Sequence, residues 1–361
     1  MKIIGLFPLT GNGGIASWAK KFLNTFPDEE YTIYPINVSP DERTDSMSLI
    51  NRIVSGFRAL RRILIELEVL MKSDSIDVLH TTTSGSLGSY RDIMVAKVCR
   101  KYGVKTIMHC RYGCIPEDIT SSKLIGVLVR KAMLLYDQIW VLDTHSYETL
   151  KSVSALKDKV YLVPNSIEVS SPLDSGAKAY ERVAFVGNVL PTKGIMELVR
   201  ASLLCNVRLD IIGPCSKQME SEIRDMVGDN IDKKIFIHGR LENCAAVEFM
   251  KGIDIIALPT YYLSEAFPIS IIEAMSLSKL VISCPRAAIP DMLTDLDGNM
   301  CGILVEPRSV NAIVDAINWC QANKNEADEM CKKAYEKVYT RYRKEIVYDI
   351  YRHNYNKLSE I

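Results

Sequence analysis

Short apolar runs rich in Val and Ile alternate with longer stretches of helical spacing, and the alternation runs through the chain twice. Residues 2–7, 31–38, 76–80, 104–109, 138–142 and 160–163 read as strands of a first series. Residues 182–187, 207–213, 235–238, 254–258, 280–283 and 303–305 read as strands of a second. Strands separated by helices join in parallel, with helices covering both sheet faces. At 361 residues the chain is long enough for two such domains. The expected architecture is therefore α/β, two Rossmann-like parallel-sheet domains facing a cleft. Residues 1–170 form the first and 171–343 the second, with a Ser-, Pro- and Gly-rich linker over 170–178. A terminal helix within 344–361 is expected to pack back on the first domain.

Charge narrows the function classes. With 44 Lys/Arg against 44 Asp/Glu, nothing points to nucleic acid. The ten cysteines have no paired spacing, and Cys110 and Cys114 beside His109 lack a second ligand pair, so zinc is not implied. Cysteines in apolar runs, such as Cys205 and Cys284, fit a reducing, cytoplasmic setting. No signal peptide is expected, since the apolar run at Met1–Phe7 is short and leads into a glycine turn. The most apolar stretch, 124–135, is interrupted by Arg130 and Lys131 and is no membrane span.

The densest chemistry lies at 264–285, SEAFPISIIEAMSLSKLVISCP, between two strands of the second series. A helix is expected to open with Pro268 at its first position, leaving the amides of Ile269 and Ser270 without partners. Such a terminus attracts anions. Glu265 precedes it and Glu273 follows in its second turn. A loop at the carboxyl end of a parallel strand opens into the ligand crevice. Amides for a phosphate and two carboxylates for hydroxyls suit a phosphate with sugars on either side. The plainer reading is two ordinary exposed charges.

Other stretches carry weaker signals. The turn Gly11-Asn12-Gly13-Gly14 follows the first strand and precedes a helix, where glycines let a ligand approach the backbone. Thr81, Thr82, Thr83, Ser84 and Gly85 read as a polar loop facing the crevice. His109 ends a strand, with Arg111 beyond it, and reads either as a ligand contact or as a histidine satisfied by backbone. The helix over 49–71 is expected to bury Ile50, Ile53, Val54, Phe57, Leu60, Leu64 and Leu67. Arg58, Arg61 and Arg62 would then form either a solvated basic face or a peripheral contact with an anionic membrane.

Glu265-Ala-Phe-Pro-Ile-Ser-Ile-Ile-Glu273-Ala-Met resembles the paired-glutamate signature of retaining glycosyltransferases of family 4, which have the GT-B fold. Further patches match the same family in order. Gly13-Gly14 resembles its first glycine loop, beside the donor diphosphate, and His109 the histidine near the transferred sugar. Val163-Pro164-Asn165 resembles its hinge-side turn. Phe185-Val186-Gly187 with Lys193-Gly194 resembles the start of its nucleotide-binding domain, and Gly239-Arg240-Leu241 the loop by the base. The family usually has an arginine directly after the glycine that matches Gly187; here Asn188 stands there, leaving Lys193 as the cation. Arg111 and Arg240 are candidate substitutes.

The resemblance implies transfer of a sugar, with retention, from a nucleotide diphosphate-sugar (a UDP- or GDP-sugar) to a saccharide or lipid-linked saccharide acceptor. It places the product among surface polysaccharides or glycoconjugates. Catalytic roles fall to His109, Glu265 and Lys193. Donor binding falls to Gly13, Gly14, Asn188, Lys193 and Arg240, together with Phe267, Pro268, Ile269, Ser270 and Glu273. No cofactor or metal is implied, because no Asp-x-Asp triplet sits in a suitable loop. Two other readings stay open: another enzyme of this fold, such as a nucleotide-sugar epimerase or phosphorylase, and a non-catalytic protein that binds a nucleotide-sugar or a partner.

Overall fold

The computed structural model describes residues 1–11, 13–39, 48–169 and 178–359. The linker reading at 170–177 and the position of Asn12 lie outside these residues, as do the side chains of Ile50 and Ile53. Two compact units emerge: Met1–Pro164 with Tyr348–Ile361, and Asn165–Val347. The division falls at 164/165, because residues just after it bond into the second unit. The Asn165 amide donates to Phe267 O, the Ile167 N–H to Tyr342 O and the Lys344 N–H to Ile167 O.

In the first unit six parallel strands run in the order β2-β1-β3-β4-β5-β6. They are β1 (Lys2–Phe7), β2 (Thr32–Asn37), β3 (Val78–Thr83), β4 (Lys105–Cys110), β5 (Gln138–Val141) and β6 (Val160–Leu162). Helices α1 (Gly14–Thr25), α2 (Leu49–Ser73), α3 (Gly88–Tyr102), α4 (Ile115–Thr120), α5 (Leu124–Leu135) and α6 (Thr144–Lys151) connect them. Side chains from α2, α3 and α5, such as Leu67, Val95 and Met133, share one buried apolar core.

Two expectations fail in this unit. Thr81–Thr83 is not a loop but the end of β3, fully buried. β-branched threonine suits a strand, and the hydroxyls find internal partners; Thr83 Oγ1 donates to Asp92 at 2.7 Å. On α2 Leu67 is buried and Leu64 packs against the core as expected, but the buried stripe is Ala59, Ile63, Leu67 and Met71, at four-residue spacing. Val54 and Phe57 instead point outward with Arg58 and Arg61. Arg62 turns inward and donates to Asn37 O and Ser39 O, which fixes the helix rotation. A helix with two neighbouring apolar stripes cannot announce by spacing which one meets the sheet.

The second unit repeats the architecture with strand order β12-β11-β10-β7-β8-β9, again all parallel. The strands are β7 (Arg182–Val186), β8 (Arg208–Ile212), β9 (Ile235–Gly239), β10 (Ile255–Leu258), β11 (Leu280–Ser283) and β12 (Ile303–Leu304). Between them lie α7 (Ile195–Leu204), α8 (Lys217–Val227), α9 (Asn243–Lys251), α10 (Ile269–Ser276) and the short α11 (Ile289–Met292). After β12 come α12 (Val310–Ala322) and α13 (Lys324–Lys337). A π-helical turn, Val338–Tyr342, follows α13 and precedes α14 (Lys344–Ser359). β10 and β11 are buried throughout, as apolar strands covered on both faces must be. The chain leaves β7 toward β8 on one side and returns as β10 on the other. The carboxyl ends of β7 and β10 therefore flank the switch point where open α/β sheets hold ligands.

Candidate active site

In the second unit the switch point gathers most of the expected residues. Beyond β7, Gly187 leads to the exposed Asn188 and then to a 3-10 turn, Pro191–Lys193. Gly194 follows with φ of +75°, and a Cβ there would lie 2.2 Å from Pro259 O, so only glycine fits. This close approach seats the loop after β7 against the end of β10. A backbone bond from Tyr261 N to Thr192 O, 2.9 Å, ties the two loops together.

The result brings Lys193 and Glu265 into a direct ion pair, although 72 positions separate them. Both side chains are largely covered, at 14% and 10% exposure. Glu265 Oε2 also accepts from Thr260 Oγ1 at 3.3 Å. The Glu265 loop is held by its own backbone: Glu265 N donates to Tyr262 O, and Tyr262 N to Thr260 Oγ1. The Lys193 ammonium also lies 5.5 Å from the Tyr262 ring centroid, within cation–π range.

α10 opens beside this pair. Pro268 is the residue before the helix rather than its first residue, with extended backbone (φ −67°, ψ 116°) and no side-chain cap to offer. Its ring fixes φ while its carbonyl accepts from Ile271 N, so the helix begins one residue later than expected. Phe267 and Pro268 are buried, Phe267 edge-on to Tyr342 at 5.2 Å, whereas Ile269 and Ser270 are half-buried. Glu273, one turn on, accepts from the Asn243 side-chain amide at 2.8 Å. Arg240 is exposed just past β9. Nothing in the sequence marked Asn243 as a partner of Glu273. Thr260 left a trace only as the Pro-Thr step after β10.

In the first unit Gly13 and Gly14 start α1, and a Cβ on either would meet open space. Neither glycine is required by neighbouring atoms of this chain. His109 lies one residue before the end of β4 and is fully buried. A linear chain of bonds runs through it: Arg111 to His109 Nε2 at 3.2 Å, His109 Nδ1 to His80 Nε2 at 3.2 Å, and His80 Nδ1 to the Tyr355 hydroxyl at 2.6 Å. Guanidinium can only donate. His109 Nε2 is therefore the acceptor, and each histidine carries its proton on Nδ1. Burial, reinforced by the Arg111 charge, holds His80 down at about 3 and His109 well below the ordinary imidazole range. Both rings are neutral near pH 7. Arg111 stacks on Trp18 at 4.0 Å, and burial lowers it to about 10. Tyr351 and Tyr355 of α14 close the cluster, a contribution the strand-by-strand reading did not include.

Comparison with known proteins adds the class. Residues 175–337 match the family profile described as glycosyl transferases group 1, so the chain carries a domain of that kind. One curated relative is lipopolysaccharide 1,2-N-acetylglucosaminetransferase of Salmonella typhimurium, 28% identical over 169 residues, 44% of this chain and 43% of that protein. Another is a phosphatidylinositol N-acetylglucosaminyltransferase subunit of Arabidopsis thaliana, 25% identical over 298 residues, 78% of this chain and 63% of that protein. The chain thus spans less than two thirds of the length of either. Among solved structures, Anabaena Alr3699/HepE in complex with UDP and glucose superposes with a TM-score of 0.71 over 100% of both chains, at 14% identity. The fold is GT-B, two parallel six-stranded sheets with helices.

Among the described residues, no group of three or more His, Cys, Asp or Glu side chains is placed to share a metal ion. Likewise, no described helix is long and apolar enough to cross a membrane.

Proposed function

We propose that this protein is a retaining glycosyltransferase that moves a sugar from a nucleotide diphosphate-sugar to a saccharide or lipid-linked saccharide acceptor. The observation that carries the reading is the meeting of Lys193, Glu265 and the uncapped start of α10 at the switch point of a group 1 domain. Glu273, held by Asn243, accepts from the ribose hydroxyls. Glu265 accepts from a hydroxyl of the transferred sugar. Lys193 and the amides of Ile269 and Ser270 stabilise charge developing on the leaving diphosphate, commonly the largest catalytic contribution. No metal enters this scheme. Where the family has an arginine, Asn188 supplies at most a neutral hydrogen bond, and the exposed Arg240, in the same unit, is the candidate for the missing charge. Arg111 is committed to His109 and Trp18 in the first unit.

His109 acts through the end of β4 rather than as an acid or base, since its ring is neutral and enclosed. UDP is the first nucleotide to test, because HepE is seen with it. N-acetylglucosamine is the first sugar, because both curated relatives are named for its transfer. The test is turnover: nucleotide release that requires an acceptor oligosaccharide, retains the anomeric configuration by NMR, and disappears in Glu265→Ala. Release without acceptor, or interconversion of the donor alone, favours an epimerase, and sugar 1-phosphate formed from a glycan and orthophosphate favours a phosphorylase.

An anionic membrane is the proposed setting of the acceptor. Outward on α2, Phe57, Ile65 and Val69 are 60%, 53% and 58% exposed, interleaved with Arg58, Arg61 and Lys72. Apolar side chains among cations suit an interface with acidic lipid. Sedimentation with phosphatidylglycerol vesicles should fall in a Phe57, Arg58, Arg61 triple alanine variant and persist in Arg62→Ala. Equal binding by all three proteins refutes the assignment.

A further inference from the structure

We propose that the Lys193–Glu265 pair lets this site distinguish an intact nucleotide-sugar from the bare nucleoside diphosphate left after transfer. The inference rests on the nucleotide-sugar reading and assigns the pair a specificity role within it.

Lys193 and Glu265 face each other directly, and the backbone that carries them is tightly held. Gly194 seated on Pro259 O fixes one loop; the Tyr261 N to Thr192 O bond and the Tyr262–Glu265 turn fix the other. Both charges are largely removed from water, so neither can lose its partner cheaply. A diphosphate that draws Lys193 to itself strips Glu265 of its cation. Only the weaker Thr260 hydroxyl at 3.3 Å then remains on Oε2.

An intact donor repairs this loss, because a sugar hydroxyl donates to the carboxylate as the phosphate takes the ammonium. Bare UDP carries no sugar. Its phosphates must compete with Glu265 for Lys193, and nothing compensates the carboxylate. After transfer the pair re-forms and favours release of the nucleotide. The same two residues thus raise preference for donor over product without touching the base.

An unusual outcome follows: removing a site carboxylate should tighten nucleotide binding. Calorimetric titration with UDP and, in parallel, GDP would compare the wild type with Glu265→Ala, Glu265→Gln, Lys193→Met and the Lys193→Met/Glu265→Ala double variant. Glu265→Gln preserves side-chain volume in case alanine disturbs packing. We expect roughly tenfold tighter binding in both Glu265 variants, equivalent to about 1.4 kcal/mol. The gain should vanish when Lys193 is also removed. If the wild type binds nucleotide but neither Glu265 variant binds it more tightly, the proposal fails while the nucleotide-sugar reading stands. If the wild type binds neither nucleotide, both fall.

Discussion

Mild acid should loosen the first unit before it affects carboxylates. His80 and His109 are buried, neutral and joined by a hydrogen bond, with His80 held at about 3 against an ordinary value of 6.5. The unfolded chain takes up protons that the folded unit refuses, so stability rises with pH across this range. The contribution is complete above pH 6.5 and is lost progressively as pH falls from 6.5 toward 3. Each pH unit below 6.5 costs about 1.4 kcal/mol for His80. At pH 5 His80 therefore removes roughly 2 kcal/mol, and His109, lowered by the same burial, acts in the same direction. Trp18 and Trp140 pack against His109, so tryptophan fluorescence reports this cluster directly. In a Trp319→Phe background, urea unfolding at pH 7.5 and 5.0 should show a clear drop in midpoint at the lower pH. His80→Gln should clearly reduce the pH dependence. An unchanged midpoint between the two pH values would refute the neutral, coupled pair.

Gly194→Ala should destabilise the second unit by roughly 1–3 kcal/mol through left-handed strain alone, with the clash on Pro259 O adding to it; differential scanning calorimetry reads the shift. Asn243→Ala frees Glu273 from its amide and should weaken nucleotide affinity severalfold by calorimetric titration, with little change in melting temperature. Gly13→Ala should leave stability nearly unchanged, because its Cβ meets open space, yet lower turnover if a ligand occupies that space. Tyr355→Phe removes the hydroxyl that accepts from His80 and should cost about 1–3 kcal/mol, seen as an earlier unfolding midpoint at pH 7.5.

The two parallel sheets were legible in the sequence because strands covered on both faces must be nearly continuous apolar runs, as at Ile255–Leu258 and Leu280–Ser283. Helix rotation was less legible. On α2 the spacing allowed either of two apolar stripes; the buried one carries Ile63, Leu67 and Met71 into the core, with Arg62 reaching the carbonyls of Asn37 and Ser39. The β3 boundary failed because a threonine run is both a polar loop and a good strand, depending on whether its hydroxyls find partners within the fold. At the candidate site, local sequence showed Glu265, Glu273 and the α10 start. It did not show that Lys193 meets Glu265 across 72 positions, nor that Asn243 holds Glu273. The first contact depends on the ends of β7 and β10 adjoining, which follows from the reversal of strand order at β7; the second depends on α9 packing beside α10. The His80–His109–Tyr355 chain was hidden for the same reason: its members come from β3, β4 and the distant α14.

The central claim is that the second unit binds a nucleotide diphosphate-sugar through the groups around α10. Thermal unfolding against UDP, GDP, ADP and their sugars tests it most directly. A ligand at a hundred times its dissociation constant stabilises the folded state by about 2.7 kcal/mol. The account predicts a clear upward shift with one base, abolished in Glu273→Ala; no shift with any nucleotide would contradict it.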